Sequence, residues 1–243
     1  MMQDRIGWRG KVGLILPSVQ TVTEPLYYRI APQGMAFFTS RMLVGKSVHA
    51  DHDQMESAAF RAGRELATAG VDLIAYCCTV SGVLKGVEGD REFCRRMEKE
   101  TGIPTTSTLS AILESLELLS LKKLVILSPY GKESHGAEER FFRDCGFTLV
   151  RSKSLGLDAG VKFAQVSPGE IYRFARDNWD EEADGLLISC MNFQAMPCLG
   201  PLEKDLGKPV LSSHSATFWK ILKMLGIGEG ITGFGRLLSE KLS

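Results

Sequence analysis

The sequence predicts an α/β protein made of two pseudo-symmetric halves, each a parallel sheet flanked by helices, with a cleft between them. Three observations carry this. First, the chain repeats itself: Lys11-Val-Gly-Leu-Ile-Leu-Pro-Ser18 is echoed by Lys123-Leu-Val-Ile-Leu-Ser-Pro-Tyr130, and Asp72-Leu-Ile-Ala-Tyr-Cys-Cys78 by Asp184-Gly-Leu-Leu-Ile-Ser-Cys190. Second, the spacing is conserved, with 67 positions from Lys11 to Cys78 and 67 from Lys123 to Cys190. Third, short apolar runs alternate with helical patterns of ten or more residues, which is the signature of βαβ units. A third echo, Ile103-Pro-Thr-Thr-Ser-Thr-Leu-Ser-Ala111 against Lys208-Pro-Val-Leu-Ser-Ser-His-Ser-Ala216, is offset by seven fewer residues. Internal duplication implies two similar units about a pseudo-twofold axis, with equivalent cysteines facing one another across it.

Taken in order, Val12–Leu16 is a short apolar run ended by Pro17-Ser18 and reads as a buried strand entering a loop. Asp53-Gln-Met-Glu56 has the shape of a capping box, with helical spacing through Ala69 and a stop at Gly70. Leu73–Tyr76 is the next strand. Arg91–Thr101 is a charged helix closed by Gly102, Pro104 opens another strand-like segment, and Ala111–Leu119 is helical. The second half repeats the cycle. It has strands at Leu124–Leu127, near Thr148–Ser152 and at Gly185–Ser189, and helices near Ala137–Cys145 and from Pro168 to Trp179. Phe218–Leu225 is a last amphipathic helix. Right-handed crossovers bring the loops after all strands to one edge, so Ser18, Cys78, Ser128–Tyr130 and Cys190 converge by topology.

Composition excludes several function classes. The 29 Lys+Arg balance 29 Asp+Glu, leaving no field to attract nucleic acid or an anionic membrane. No apolar stretch approaches membrane-spanning length, and the first residues lack a signal peptide's apolar core. Six cysteines in 243 residues are too sparse for a disulfide scaffold, so a reducing cytoplasm is the expected location. Gly228-Glu-Gly230-Ile-Thr-Gly233 is formally a dinucleotide fingerprint, but it follows a helix and no acidic ribose partner can follow it. His49-Ala-Asp-His52-Asp53 fits no compact ligand pair, and Asp53 serves better as a cap; no metal is expected.

Cys78 and Cys190 are the residues on which chemistry is expected to rest. A lone cysteine at a strand end often just packs. Two at duplicated positions, each at the carboxyl end of a strand, point instead to a shared ligand. Helix N-termini are expected to follow both and to favour thiolate. Cys77 should face the opposite side and pack, and Cys94, Cys145 and Cys198 have no echo. Ser18, Thr79, Ser81 and Ser128 form a hydroxyl cluster suited to cradling an anion, though each could equally cap a helix. A Pro-Tyr-Gly turn does not need its tyrosine, so Tyr130 joins the candidates. His214 replaces Leu109 of the first copy and lies outside the duplicated chemistry.

These motifs resemble the aspartate/glutamate racemase superfamily, in its maleate cis–trans isomerase and arylmalonate decarboxylase branch. The resemblance runs over nearly the whole chain. It rests on residues 16–25, Ala75-Tyr-Cys-Cys-Thr-Val80, Ser128-Pro-Tyr130, Leu187-Ile-Ser-Cys190, residues 208–213 and residues 233–238. It implies two Rossmann-like four-stranded domains, residues 1–115 with 217–243 and residues 116–216, with an active site in the interdomain cleft. It also implies no cofactor, a small carboxylate or dicarboxylate substrate, and the possibility of a homo-oligomer. Cys78 matches the thiolate that adds to the substrate double bond in the isomerases, and Cys190 matches the second, proton-transferring thiol. Tyr130 and Thr79 match carboxylate-holding groups. In the decarboxylases the first cysteine position looks like a glycine, so both thiols together imply an isomerase or a racemase, with cis–trans isomerisation of the maleate kind as the preferred reading. The competing readings are arylmalonate-type decarboxylation, Asp/Glu/hydantoin-type racemisation and, more remotely, a non-catalytic binding module. Gln20 stands where the isomerase motif has asparagine. Ala159 or Gly160 stands at a second such position, which implies a differently shaped ligand.

Overall fold

The computed structural model describes residues 5–44 and 52–240, the side chains of His52 and Asp53 excepted. The first half runs β1 (Gly10–Pro17), α1 (Thr23–Ile30), β2 (Met35–Met42), α2 (His52–Thr68), β3 (Leu73–Tyr76), α3 (Thr79–Thr101), β4 (Thr105–Ser107) and α4 (Thr108–Leu118). The second runs β5 (Lys123–Tyr130), α5 (Lys132–Asp144), β6 (Thr148–Leu157), α6 (Gly160–Phe163), α7 (Pro168–Asp177), β7 (Gly185–Ile188), α8 (Met196–Leu206), β8 (Val210–Ser212), α9 (Ser213–Met224) and α10 (Arg236–Glu240). The sheets have orders β2-β1-β3-β4 and β6-β5-β7-β8, and every pairing is parallel. The two halves are thus the same permutation of strands.

The echoes hold the same joints. Lys11 N–H donates to Asp72 Oδ2 (2.8 Å) and Lys123 N–H to Asp184 Oδ2 (2.7 Å), pinning the starts of paired strands. At the other end, Cys77 N–H donates to Ile15 O (3.0 Å) and Ser189 N–H to Leu127 O (2.7 Å). Cys77 is therefore the counterpart of Ser189, and Cys78 of Cys190. Ser107 and Ser212 cap α4 and α9 by accepting from the N–H three residues on.

The inner strands are continuous apolar runs because both faces are covered. On β1, Val12, Leu14 and Leu16 join a core that continues into the second half, while Ile15 joins a second cluster with Met55, Phe60, Tyr76 and Phe93. The two halves meet where α3 packs on α5, and α9 returns to pack on α4 of the first half.

Several boundaries differ from the sequence expectation. The helix expected from Arg91 begins at Thr79 and is kinked at Gly86 (φ 70°, ψ 176°), so its first turns carry no amphipathic pattern: residues 79–83 are all buried. Strand β2 gave no period-two signal because it is a half-buried edge. Helix α2 starts at His52, and the capping role expected of Asp53, like His49, lies outside the described residues.

Candidate active site

A cavity of about 430 Å³ opens where the carboxyl ends of β1, β3, β5 and β7 converge. Cys78 and Cys190 both line it, each 5% exposed. Cys78 follows β3 and is the N-cap of α3, with extended backbone (φ −141°, ψ 102°). Cys190 differs. Its φ is +113°, a region costly for any residue with a Cβ, by roughly 1–3 kcal/mol. No helix follows it at once; α8 starts only at Met196. The sequence expectation of a helix N-terminus at both thiols therefore holds for Cys78 and fails for Cys190, where the backbone N–H of Asn192 takes its place.

Burial dominates the electrostatics. It pushes the Cys78 thiol up to about 11, opposed by the Ser81 backbone N–H and the nearby charge of Lys85. Burial pushes Cys190 up to about 12, opposed by the Asn192 backbone N–H and the Tyr130 hydroxyl, while the charge of Cys78 adds to the rise. Burial thus opposes the thiolate at both positions, and the groups that favour it are the backbone N–H groups of Ser81 and Asn192, the charge of Lys85 and the Tyr130 hydroxyl. Loss of hydration outweighs the helix N-terminus here. Cys77 is pushed up further by burial and packs beside Tyr27, its Sγ donating to Ala75 O (3.5 Å).

Of the other expected residues, Gln20, Thr79 and Tyr130 line the cavity. Gln20 Nε2 donates to Cys77 O (3.2 Å), and its buried Oε1 has no partner among the described residues. Tyr130, 3% exposed, stacks edge-on against Phe163 at 5.7 Å. The Thr79 hydroxyl is already committed, donating to Ser213 Oγ (3.0 Å). Ser18 and Ser81 stand behind the wall. Ser18 Oγ accepts from Val44 N–H (3.0 Å), and the Ser81 hydroxyl accepts from Tyr76 (2.8 Å), leaving its backbone N–H as the group that meets Cys78. Ser128 bonds His135 Nδ1 (2.9 Å).

Sequence reasoning missed four residues. Ser213 Oγ accepts from both Thr79 and Cys190 N–H (2.9 Å), tying the two cysteine loops together; the Lys208–Ser213 echo was the available signal. Lys85, with a side chain 5% exposed, is paired with Glu56. Glu138 bonds the Ser189 hydroxyl next to Cys190. Asn192 joins the loops around the cavity. None of these last three has a motif. Among the described residues no cluster of three His, Cys, Asp or Glu could hold a metal ion, and no helix is long and apolar enough to cross a membrane.

Two parallel sheets of one topology, each bringing a cysteine to a shared cavity from the end of its third strand, define an α/β class with two thiols on one cavity. The protein belongs to the arylmalonate decarboxylase family, whose profile matches residues 12–238. It is 26% identical over 242 residues to the maleate isomerase of Pseudomonas putida, covering 94% of this chain and 97% of that protein. It is also 22% identical over 232 residues to the arylmalonate decarboxylase of Bordetella bronchiseptica, covering 94% and 96%. Its fold matches that of the Nocardia farcinica maleate cis–trans isomerase holding a covalent succinylcysteine intermediate, with a TM-score of 0.88, 22% identity and 95% and 98% coverage.

Proposed function

We propose that this enzyme catalyses cofactor-independent cis–trans isomerisation of a small unsaturated dicarboxylate of the maleate class, with Cys78 as nucleophile and Cys190 as acid and base. The observation that carries it is the pair of thiols on one cavity. Cys78 first gives its proton to solvent and, as thiolate, forms a C–S bond to one carbon of the double bond, while the π electrons move onto the adjoining carboxylate as an enediolate. Tyr130 and backbone N–H groups hold that charge, a role suited to a phenol too weakly acidic to serve as a base. Cys190 delivers its proton to the carbanionic carbon. Rotation about the new single bond follows. Cys190 then recovers the proton, and the C–S bond breaks to expel the thiolate and leave the trans alkene. Electrons and protons return to their starting places.

A second reading has its own support. Val19, Val44, Val161 and Phe163 line the same cavity, and such a wall suits a substrate with an apolar arm, as in an arylmalonate. Decarboxylation would reach the same enediolate and need only Cys190. We also propose the domain division at residues 1–115 with 217–243 and 116–216, supported by the packing of α9 on α4, β3 and β4. A reducing compartment such as the cytoplasm suits the six free cysteines.

Proton NMR in D₂O, with maleate, aryl- and alkylmalonates, and α-amino or hydantoin carboxylates, separates the reactions. The expected result is conversion of the cis to the trans alkene, abolished in both Cys78→Ser and Cys190→Ser without loss of fold. Decarboxylation of a malonate that survives Cys78→Ser and dies with Cys190→Ser would establish the second reading instead. Deuterium exchange at an α-carbon would mean racemisation.

A further inference from the structure

The loops that close the cavity come from both halves, and one side chain joins them. Asn192 lies two residues beyond Cys190 and is 5% exposed. Its Oδ1 accepts from Thr21 N–H (2.8 Å), and its Nδ2 donates to the carbonyls of Val19 (3.1 Å) and Gly160 (2.8 Å). Val19 and Thr21 follow β1 in the first half, while Gly160 begins α6 in the second. The Asn192 backbone N–H in turn donates to Cys190 Sγ (3.3 Å). The two loops also touch directly. A Cβ at Gly160 would sit 2.8 Å from Val19 Cγ2, so only glycine allows this approach.

We infer that Asn192 is a positioning residue that clasps the two halves across the cavity and, through its own backbone, fixes the sulfur of Cys190. A buried amide is tolerated only when its donors and acceptor are paired. Every partner of this side chain is a backbone group of another loop, so it is satisfied only while the loops from both halves lie together. Parting them strands three polar groups and frees the turn that holds Cys190 in its strained conformation. Closure of the cavity and placement of the acid/base thiol are then one event. The kinetic consequence rests on the two-thiol reading above; the clasp itself does not.

The test is Asn192→Ala, followed by amide hydrogen exchange with mass spectrometry and by steady-state kinetics. Exchange should rise together in residues 19–22 and 159–163, by about tenfold or more, while β1, β3, β5 and β7 stay protected. With a substrate found by the NMR panel, kcat should fall by about 10- to 100-fold, and by more than KM rises, because the acid/base thiol is misplaced rather than the ligand lost. Gly160→Ala, which forces the loops apart from the other side, should reproduce the joint loosening, and the double variant should be no looser than the worse single one. Should Asn192→Ala not fold, Asn192→Asp, which lacks both N–H donors, and Gly160→Ala are measured in the same way. Loosening confined to residues 191–193 or to one loop overturns the clasp, and an unchanged kcat in a loosened variant overturns its part in placing Cys190. If the wild-type enzyme turns over none of the carboxylates, the isomerase reading fails, and exchange alone still decides this inference.

Discussion

At the scale of single residues, Glu138 is a carboxyl group placed where a carboxylate is costly. It is 1% exposed, bonds the Ser189 hydroxyl, and leaves Oε2 without a partner among the described residues. The nearest cation candidate, His135 Nδ1, is 4.0 Å away and is itself held below its usual pKa by burial. Burial therefore pushes Glu138 up to about 8. In the unfolded chain it ionises near 4.5, so between pH 4.5 and 8 unfolding releases a proton, and stability falls as pH rises. At pH 7 this costs roughly 2–4 kcal/mol. Glu138→Gln, neutral at every pH and able to keep the Ser189 bond, should be more stable than the parent at pH 7.5 and close to it at pH 4.5. Urea unfolding free energies at several pH values measure this, and parallel curves for the two proteins would refute it. The sequence could not reveal this residue: within Glu138-Glu139-Arg140 it looks like a solvated helix face. Cys78 and Cys190 were legible for the opposite reason, since duplication marks them in a way that burial and charge leave no trace of.

Helix α3 shows how far a single element can be read. Its second part follows the rules, with Asp90, Phe93 and Met97 buried at helical spacing and a left-handed Gly102 at the stop. Its first part is buried all round, and neither periodicity nor propensity marks it, because Gly82, Gly86 and Gly89 dilute both signals. The kink at Gly86 turns the segment carrying Thr79 inward toward the cavity and lets the remainder lie on the surface. A Cβ there would meet nothing within 4 Å, so the constraint is backbone conformation alone. Gly86→Ala should cost roughly 1–3 kcal/mol, seen as a lower urea midpoint with an unchanged slope. An unaltered midpoint would show that the kink is not maintained in solution. The same logic explains strand β2: an edge strand with half-exposed faces lacks both alternation and a continuous apolar run, whereas β1, β3, β5 and β7 are runs that nothing else would produce.

On the scale of the whole molecule, the duplicated halves were legible but their seam was not, because contacts between units have no period. His214 lies on that seam. It sits on α9, fully buried, with its carbonyl accepting from Tyr27 (3.0 Å) and its Nε2 3.1 Å from Thr23 Oγ, both on α1 of the first half. The Thr23 hydroxyl donates to Met191 O (3.1 Å), which assigns the ring proton to Nε2 and leaves Nδ1 bare, without a partner among the described residues. A second proton would have no acceptor and would bury a charge, and burial accordingly holds His214 down at about 3. The unfolded imidazole binds its proton near pH 6.5, so the stability this group contributes is present above 6.5 and is lost as pH falls toward 3. At pH 5 the loss is about 2 kcal/mol. Glu138 slopes the other way. The two nearly cancel between pH 4.5 and 6.5, and Glu138 alone acts from there to pH 8. His214→Gln, neutral throughout, should therefore become relatively more stable than the parent as pH falls from 7 to 5, whatever its offset at pH 7, while Glu138→Gln gains instead as pH rises. The double variant should lose both of these slopes relative to the parent. If His214→Gln tracks the parent curve from pH 7 to 5, the histidine is protonated in the folded protein, and the seam must open to water to admit that charge.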